Sequence, residues 1–244
     1  MFLLSCGKIS AKSPHMQQLL DGVHRFQQRE FGKYREIFRR LSREGQKPHT
    51  LFITCADSRV VAELITQSKP GDLFVIKNIG NIVPPPEPDG GNNSTGAGIE
   101  FAIEGLGVTD VVVCGHSQCG AIAALMHPQP ALGELKHLSK WISLAKPVKD
   151  LIESNYVYLK DEEERLRAAE EENVLFSVDQ LYTYPCVARR LNEGTLRLHA
   201  WFFRIDTAEL FAYDPDTRQF QAIEKHIAAT GASLAPITQL PLHL

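Results

Sequence analysis

An α/β fold, a central and mostly parallel sheet flanked by helices, is the class this sequence predicts. Three observations point to it. The runs 50–55, 73–77 and 110–114 are continuously apolar and rich in strand formers, as buried parallel strands are. Helix-spaced stretches lie between them, and strands alternating with helices imply right-handed crossovers. The stretches 196–205 and 209–213 read as a closing hairpin pair. The 244 residues are enough for one such domain, or two small ones, without disulfide staples.

In chain order, residues 1–15 are expected to be a mobile extension, 16–225 the folded domain and 226–244 a tail. From Met16 to about Ser42 the apolar positions Leu19, Leu20, Val23, Phe26, Phe31, Tyr34, Ile37, Phe38 and Leu41 follow helical spacing with interruptions, forming an N-terminal helical arm that Gly32 should break in two. After a turn at Pro48, Thr50–Cys55 is the first strand. Ser58 can cap a helix from Arg59 to about Ser68, and Gly71 and Asp72 turn the chain into Leu73–Lys77. The stretch IGNIVPPPEPDGGNNSTG excludes regular structure, and a loop of that length is more often functional than accidental. Residues 97–106 read as a helix ending at Gly107. Asp110–Cys114 is the third strand, followed at once by Gly115-His116-Ser117-Gln118-Cys119-Gly120. Asp161–Glu172 reads as a solvated helical face. Pro185 starts another helix, which Gly194 ends, and a short run at 220–223 follows the hairpin.

Composition narrows the function classes. With 43% hydrophobic and 23% charged residues and a net charge of −3, nothing suggests nucleic-acid or membrane-surface binding, and no apolar run approaches a membrane span. Five cysteines, unevenly spaced, do not make a disulfide framework. Reduced thiols suit a cytoplasmic protein. MFLLSC, ending at Cys6, only faintly resembles a lipoprotein cleavage site and lacks a basic start, so a lipid anchor is the weaker reading.

Chemistry concentrates at two strand ends. Cys55 ends one strand, and His116 and Cys119 follow another; open α/β sheets bind ligands in crevices at that edge. If those strands are neighbours, the three side chains converge. Two thiolates and an imidazole suit Zn2+, and three protein ligands leave a fourth position open, as catalytic sites do. Asp57 can set a carboxylate against that position, and Arg59 can hold it through two parallel hydrogen bonds.

The segments CADSRVVAELI, GDLFVIKNIGNIVPP and IEFAIEGLGVTDVVVCGHSQCGAI resemble the β-class carbonic anhydrases in order and spacing, most closely the cyanobacterial and plant-like branch. LHAWFFRIDTAELFAYD looks like that family's closing strands, and the resemblance runs from about Met16 to Ile223. It implies reversible hydration of CO2 to bicarbonate by hydroxide on Zn2+, with Cys55, His116 and Cys119 as ligands and Asp57–Arg59 as the orienting dyad. It further implies that Gly120 binds a substrate oxygen through its N–H, that Gln46 and Phe74 line the pocket, and that the pocket lies at the interface of a homodimer or higher oligomer, so that some of these residues serve a neighbouring subunit.

Four departures matter. Ala56 stands where serine is usual. Plant members carry a pocket tyrosine where this chain offers Asn92 or a neighbour. Some bacterial members bind bicarbonate noncatalytically on a tryptophan, an arginine and a tyrosine; Phe52, Lys77 and Phe203 stand at those positions, and Lys cannot copy Arg's fork, so no such regulatory site is expected. Asp57 itself is present and could become a fourth metal ligand at low pH. Carboxysomal members carry a long C-terminal extension, whereas this sequence stops at Leu244, so recruitment through such a tail is not expected.

Other candidates are set aside. Cys114 reads as core and Cys186 as packing, and GGNNSTGAG does not match phosphate-loop spacing. His24, His49, His127, His137, His199, His226 and His243 show no ligand-like spacing. Three other readings stay open: a zinc enzyme acting on carbonyl sulfide or carbon disulfide, a noncatalytic metal-binding protein, and a cysteine-nucleophile hydrolase using His116.

Overall fold

The computed structural model describes residues 13–127, 134–223 and 236–237. Cys6, His226 and His243, with nearly all of the expected extension and tail, lie outside the described residues. The described chain falls into two units divided after Gln46.

The first unit is the helical arm. Ser13 caps α1 (Pro14–Arg25), its Oγ accepting from the Met16 N–H, with proline in the first turn. The expected break at Gly32 does not occur. A π-helical turn at Phe26–Glu30 leads directly into α2 (Phe31–Glu44), and the residues at both junctions keep right-handed helical dihedrals. A π-turn widens a helix without leaving the helical region, and here the rings of Phe26, Phe31 and Phe38 cluster at 5.8–6.5 Å. Gly32 is simply inside α2. Met16, Leu19, Leu20 and Val23 are all exposed.

The second unit carries a six-stranded sheet in the order β2-β1-β3-β4-β5-β6. β1 (Thr50–Cys55) pairs in parallel with β2 (Leu73–Asn78) and with β3 (Asp110–His116), and β3 pairs in parallel with β4 (Arg197–Phe203). β5 (Leu210–Asp214) and β6 (Gln219–Ala222) close it antiparallel, as the hairpin reading expected. The pleat divides the core. Leu51, Ile53, Val111 and Val113 face α8 (Glu162–Tyr182) and α9 (Pro185–Asn192), whereas Phe52, Val112 and Cys114 meet Val60 and Ala62 on the opposite side. Gly107 and Gly194 follow their helices with φ of +68° and +67°.

Three elements differ from expectation. α3 covers only Ala62–Thr66, so the helix expected from Arg59 starts late. Residues 57–60 instead form a turn closed by the Val60 N–H on the Asp57 carbonyl at 3.2 Å, and Lys77 Nζ donates to the Asp57 and Val60 carbonyls at 3.2 and 2.6 Å. α4 (Ser94–Glu100) begins three residues before residue 97, because Asn93 Oδ1 caps the N–H groups of Thr95 and Gly96. Finally, Asp161 caps α8 and its first turn is solvated, yet Glu170 within the charged stretch is only 3% exposed. The stretch is therefore not a wholly solvated face. Among the described residues, no helix is long and apolar enough to cross a membrane.

Candidate metal centre

Because β1 and β3 are neighbours, their carboxyl ends bring Cys55 and His116 side by side. His116 ends β3, Gln118 takes a left-handed φ of +57°, and the chain swings back to place Cys119 as the cap of α5 (Gly120–Met126). The ligand atoms of Cys55, His116 and Cys119 lie within 4.8 Å of one another, and all three residues are buried. Zinc–sulfur and zinc–nitrogen bonds of about 2.3 and 2.0 Å fit that spacing.

The protonation pattern fits a metal equally well. His116 Nδ1 lies 2.9 Å from the Ser117 carbonyl, which can only accept, so Nδ1 carries the proton and Nε2 presents a lone pair. That Nε2 is buried and has no hydrogen-bond partner among the described residues. A buried polar atom left unpaired is costly, and coordination would satisfy it. The close neighbour Cys119 draws the Cys55 thiol well below its usual value, while Cys55 and burial push the Cys119 thiol up. The Gly80 N–H adds a donor to Cys55 Sγ at 3.4 Å. Two buried sulfurs beside an imidazole nitrogen form a donor set that suits a soft cation.

Asp57 Oδ2 stands 4.0 Å from His116 Nε2. Arg59 grips this carboxylate with Nε on Oδ1 at 3.0 Å and Nη2 on Oδ2 at 2.8 Å, while its backbone N–H reaches Oδ1 at 2.9 Å. The Arg59 hydrogen bonds hold the Asp57 carboxyl well below the usual carboxylate range, so it is ionised at any working pH. Arg59 Nη2 also donates to the Gln118 carbonyl at 3.1 Å, tying the dyad turn to the turn that carries Cys119.

The other expected site residues are placed less uniformly. Gly120 follows Cys119 as the first residue of α5, where backbone N–H groups have no intrahelical partner. Phe74 pairs with Leu51, four register steps from the Cys55–Asn78 pair and therefore about 13 Å away along the strand. Its ring rests on Phe101, with centroids 5.8 Å apart. This chain's own fold thus does not bring Phe74 to the cluster. Gln46 is exposed at the end of the helical unit. Asn92 borders a cavity of about 420 Å3 with Glu87 and Tyr184, and none of the three ligand residues lines it. Cys114 is fully buried and its thiol is pushed up to about 12, an inert core cysteine as expected. Sequence reasoning missed Glu170, whose Oε1 accepts from the Cys119 N–H at 2.6 Å.

Comparison with known proteins agrees with this geometry. The carbonic anhydrase family model matches residues 50–210. The carbonic anhydrase of Synechocystis sp. is 40% identical over 214 residues, covering 88% of this chain and 77% of the relative. That of Pseudomonas aeruginosa is 40% identical over 211 residues, covering 86% and 93%. Among solved structures, the β-carbonic anhydrase CcaA superposes with a TM-score of 0.81 at 40% identity, covering 86% of this chain and 92% of that one. One of two tetrameric β-carbonic anhydrases from Sordaria macrospora gives 0.73 at 29% identity, covering 82% and 97%. With its parallel sheet and its Cys-His-Cys cluster at the strand ends, this chain belongs to the carbonic anhydrase family, in its β class.

Proposed function

We propose that the protein hydrates CO2 reversibly to bicarbonate and a proton, with Zn2+ held by Cys55, His116 and Cys119. The observation that carries this reading is the unpartnered, buried His116 Nε2 within 4.8 Å of the buried Cys55 and Cys119 sulfurs, with an arginine-locked carboxylate 4.0 Å away. Bound there, Zn2+ would lower the pKa of water to about 7 and supply a hydroxide nucleophile at neutral pH. The Asp57 carboxylate would accept a hydrogen bond from the nucleophile and so orient it toward CO2. Arg59 keeps that carboxylate in one orientation, and the Gly120 N–H stabilises charge developing on a substrate oxygen.

Gln46 and Phe74 complete the apolar pocket of a neighbouring subunit in a homodimer or larger assembly. The tetrameric relatives, the exposed apolar residues of the arm and the distance of Phe74 from its own chain's cluster support this arrangement. Thiols rather than disulfides among the described residues suit a cytoplasmic setting.

Zinc content and CO2 hydration should be measured for the wild type, Cys55→Ser and Asp57→Ala. One zinc per chain is expected in the wild type. Cys55→Ser should lose both metal and activity, and Asp57→Ala should keep the metal while losing most of its turnover. Full activity after complete removal of metal by a chelator would refute the proposal and favour a cysteine nucleophile.

A further inference from the structure

α8 contributes three polar side chains at i, i+3 and i+7, all turned inward: Glu170 is 3% exposed, and Asn173 and Ser177 are fully buried. Buried polar groups are expensive unless they are used, and each of these is spent on a turn beside the metal centre. Glu170 Oε1 accepts from the Cys119 N–H at 2.6 Å. Asn173 Nδ2 donates to the Gly80 carbonyl at 2.9 Å. Since the Gly80 N–H in turn donates to Cys55 Sγ, Gly80 is gripped on both sides. Ser177 Oγ donates to the Asn81 carbonyl at 3.1 Å and accepts from the Val83 N–H at 3.3 Å. Asn81 has a φ of +47°, a backbone conformation that surrounding contacts must hold in place.

One helix face therefore fixes the turn bearing Cys119 and the turn that donates to Cys55. The helix itself is seated tightly: a Cβ on Gly115, the residue before His116, would lie 2.4 Å from Val174 Cγ2. Asn173 pairs only its amino end, its Oδ1 having no partner among the described residues. An apolar side chain would pack there without that penalty, so the contact with Gly80 is what the amide provides.

We propose that Glu170, Asn173 and Ser177 are positioning residues that preset the spacing of the two thiolate ligands. The inference rests on the metal centre proposed above. It concerns metal affinity and geometry rather than the chemical step, because all three side chains bond backbone groups of the two turns.

The test uses the zinc-loaded protein and its Co2+-substituted form. Zn2+ affinity is measured by competition with a chromophoric chelator, ligand geometry by the visible absorption bands of Co2+, and folding by the urea midpoint. Glu170→Met and Asn173→Leu are each expected to weaken metal affinity roughly 10- to 100-fold, as loss of partners around metal ligands does, and to alter the Co2+ bands. Glu170→Gln keeps a carbonyl acceptor for the Cys119 N–H and should rescue the affinity lost in Glu170→Met. Leu181→Ala, on the same helix but in the apolar core, should lower the urea midpoint and leave affinity and bands unchanged. If Asn173→Leu does not fold, Ser177→Ala and Glu170→Met carry the test. Unchanged affinity in the folded polar variants, an equal loss in Leu181→Ala, or failure of Glu170→Gln to rescue would overturn the positioning role. A wild type that binds no metal would overturn both this inference and the proposed function.

Discussion

Replacing Gly115 by alanine puts a methyl group 2.4 Å from Val174 Cγ2, where carbon atoms ordinarily rest about 3.5–4.0 Å apart. Relief needs a new Val174 rotamer, which a branched side chain in a packed core resists, or a movement of more than 1 Å by α8 or β3, both packed through the core on either side of this contact. Overpacking of that kind costs about 1–3 kcal/mol. For a penalty of about 2 kcal/mol and a slope near 3 kcal/mol per molar urea, the unfolding midpoint should drop by about 0.7 M. Protein concentration must be held constant, because self-association adds to apparent stability. The double variant with Val174→Ala separates this cause from any other. Val174→Ala alone removes two methyl groups, about 1.5 kcal/mol, but it also vacates the volume the new methyl needs. The double variant should therefore be more stable than the sum of the two singles by about 0.5–3 kcal/mol. A Gly115→Ala protein as stable as the wild type, or strictly additive costs in the pair, would refute the packing argument.

Two further outcomes follow from polar groups outside the cluster. Burial alone would raise the Asp110 carboxyl, but hydrogen bonds from Arg197, His199 and Thr109 overcome it and hold the group well below the usual carboxylate range. A depressed folded value stabilises above the unfolded pKa of about 3.9 and is lost as pH falls through the folded one. Asp110→Asn should thus be less stable than wild type near neutrality and lose less on acidification below about pH 4; parallel acid-unfolding profiles would count against the ion pair. Lys77 Nζ is committed to the Asp57 and Val60 carbonyls, and Phe52 and Phe203 are buried. Bicarbonate should therefore inhibit without cooperativity, and Lys77→Met, by loosening the dyad turn, should lower kcat more than it changes KM; cooperative inhibition relieved in Lys77→Met would reveal a bicarbonate site there.

The parts of this fold legible in the sequence are those whose cause is local. β1, β2 and β3 announce themselves as apolar, β-favouring runs, and the residue types at their carboxyl ends put Cys55, His116 and Cys119 at one edge once the strands are neighbours. The turn at 57–60 escaped because one of its supports is an ammonium 17 to 20 residues away, and because Asp57 rather than Ser58 caps the Arg59 N–H. The π-turn at Phe26 escaped because no local residue type demands it, whereas Gly32 invites a break that helical packing does not need. Phe74 and Gln46 came from family resemblance alone. No register within a single chain could have led to Phe74, since its own strand carries it away from the cluster.

Glu170 is the instructive failure. In a stretch holding Glu162, Glu163, Glu164, Glu170, Glu171 and Glu172, charge alone cannot tell which carboxylate turns inward. Burial along the helix can. Residues 170, 173 and 177 fall on the same stripe as the buried Val174, Val178 and Leu181, and a core-facing stripe is normally apolar. Three hydrogen-bonding side chains in such positions are either a packing fault or a fitted contact. Their partners decide between these: two turn segments at the carboxyl edge of the sheet, one bearing Cys119 and one whose Gly80 N–H donates to Cys55. Polar identity set against the buried stripe singles out this face of α8. It also explains why Gly115 must lack a side chain. A helix that reaches across hydrogen bonds of 2.6 to 3.1 Å to align ligands has to lie close against the strand that carries one of them.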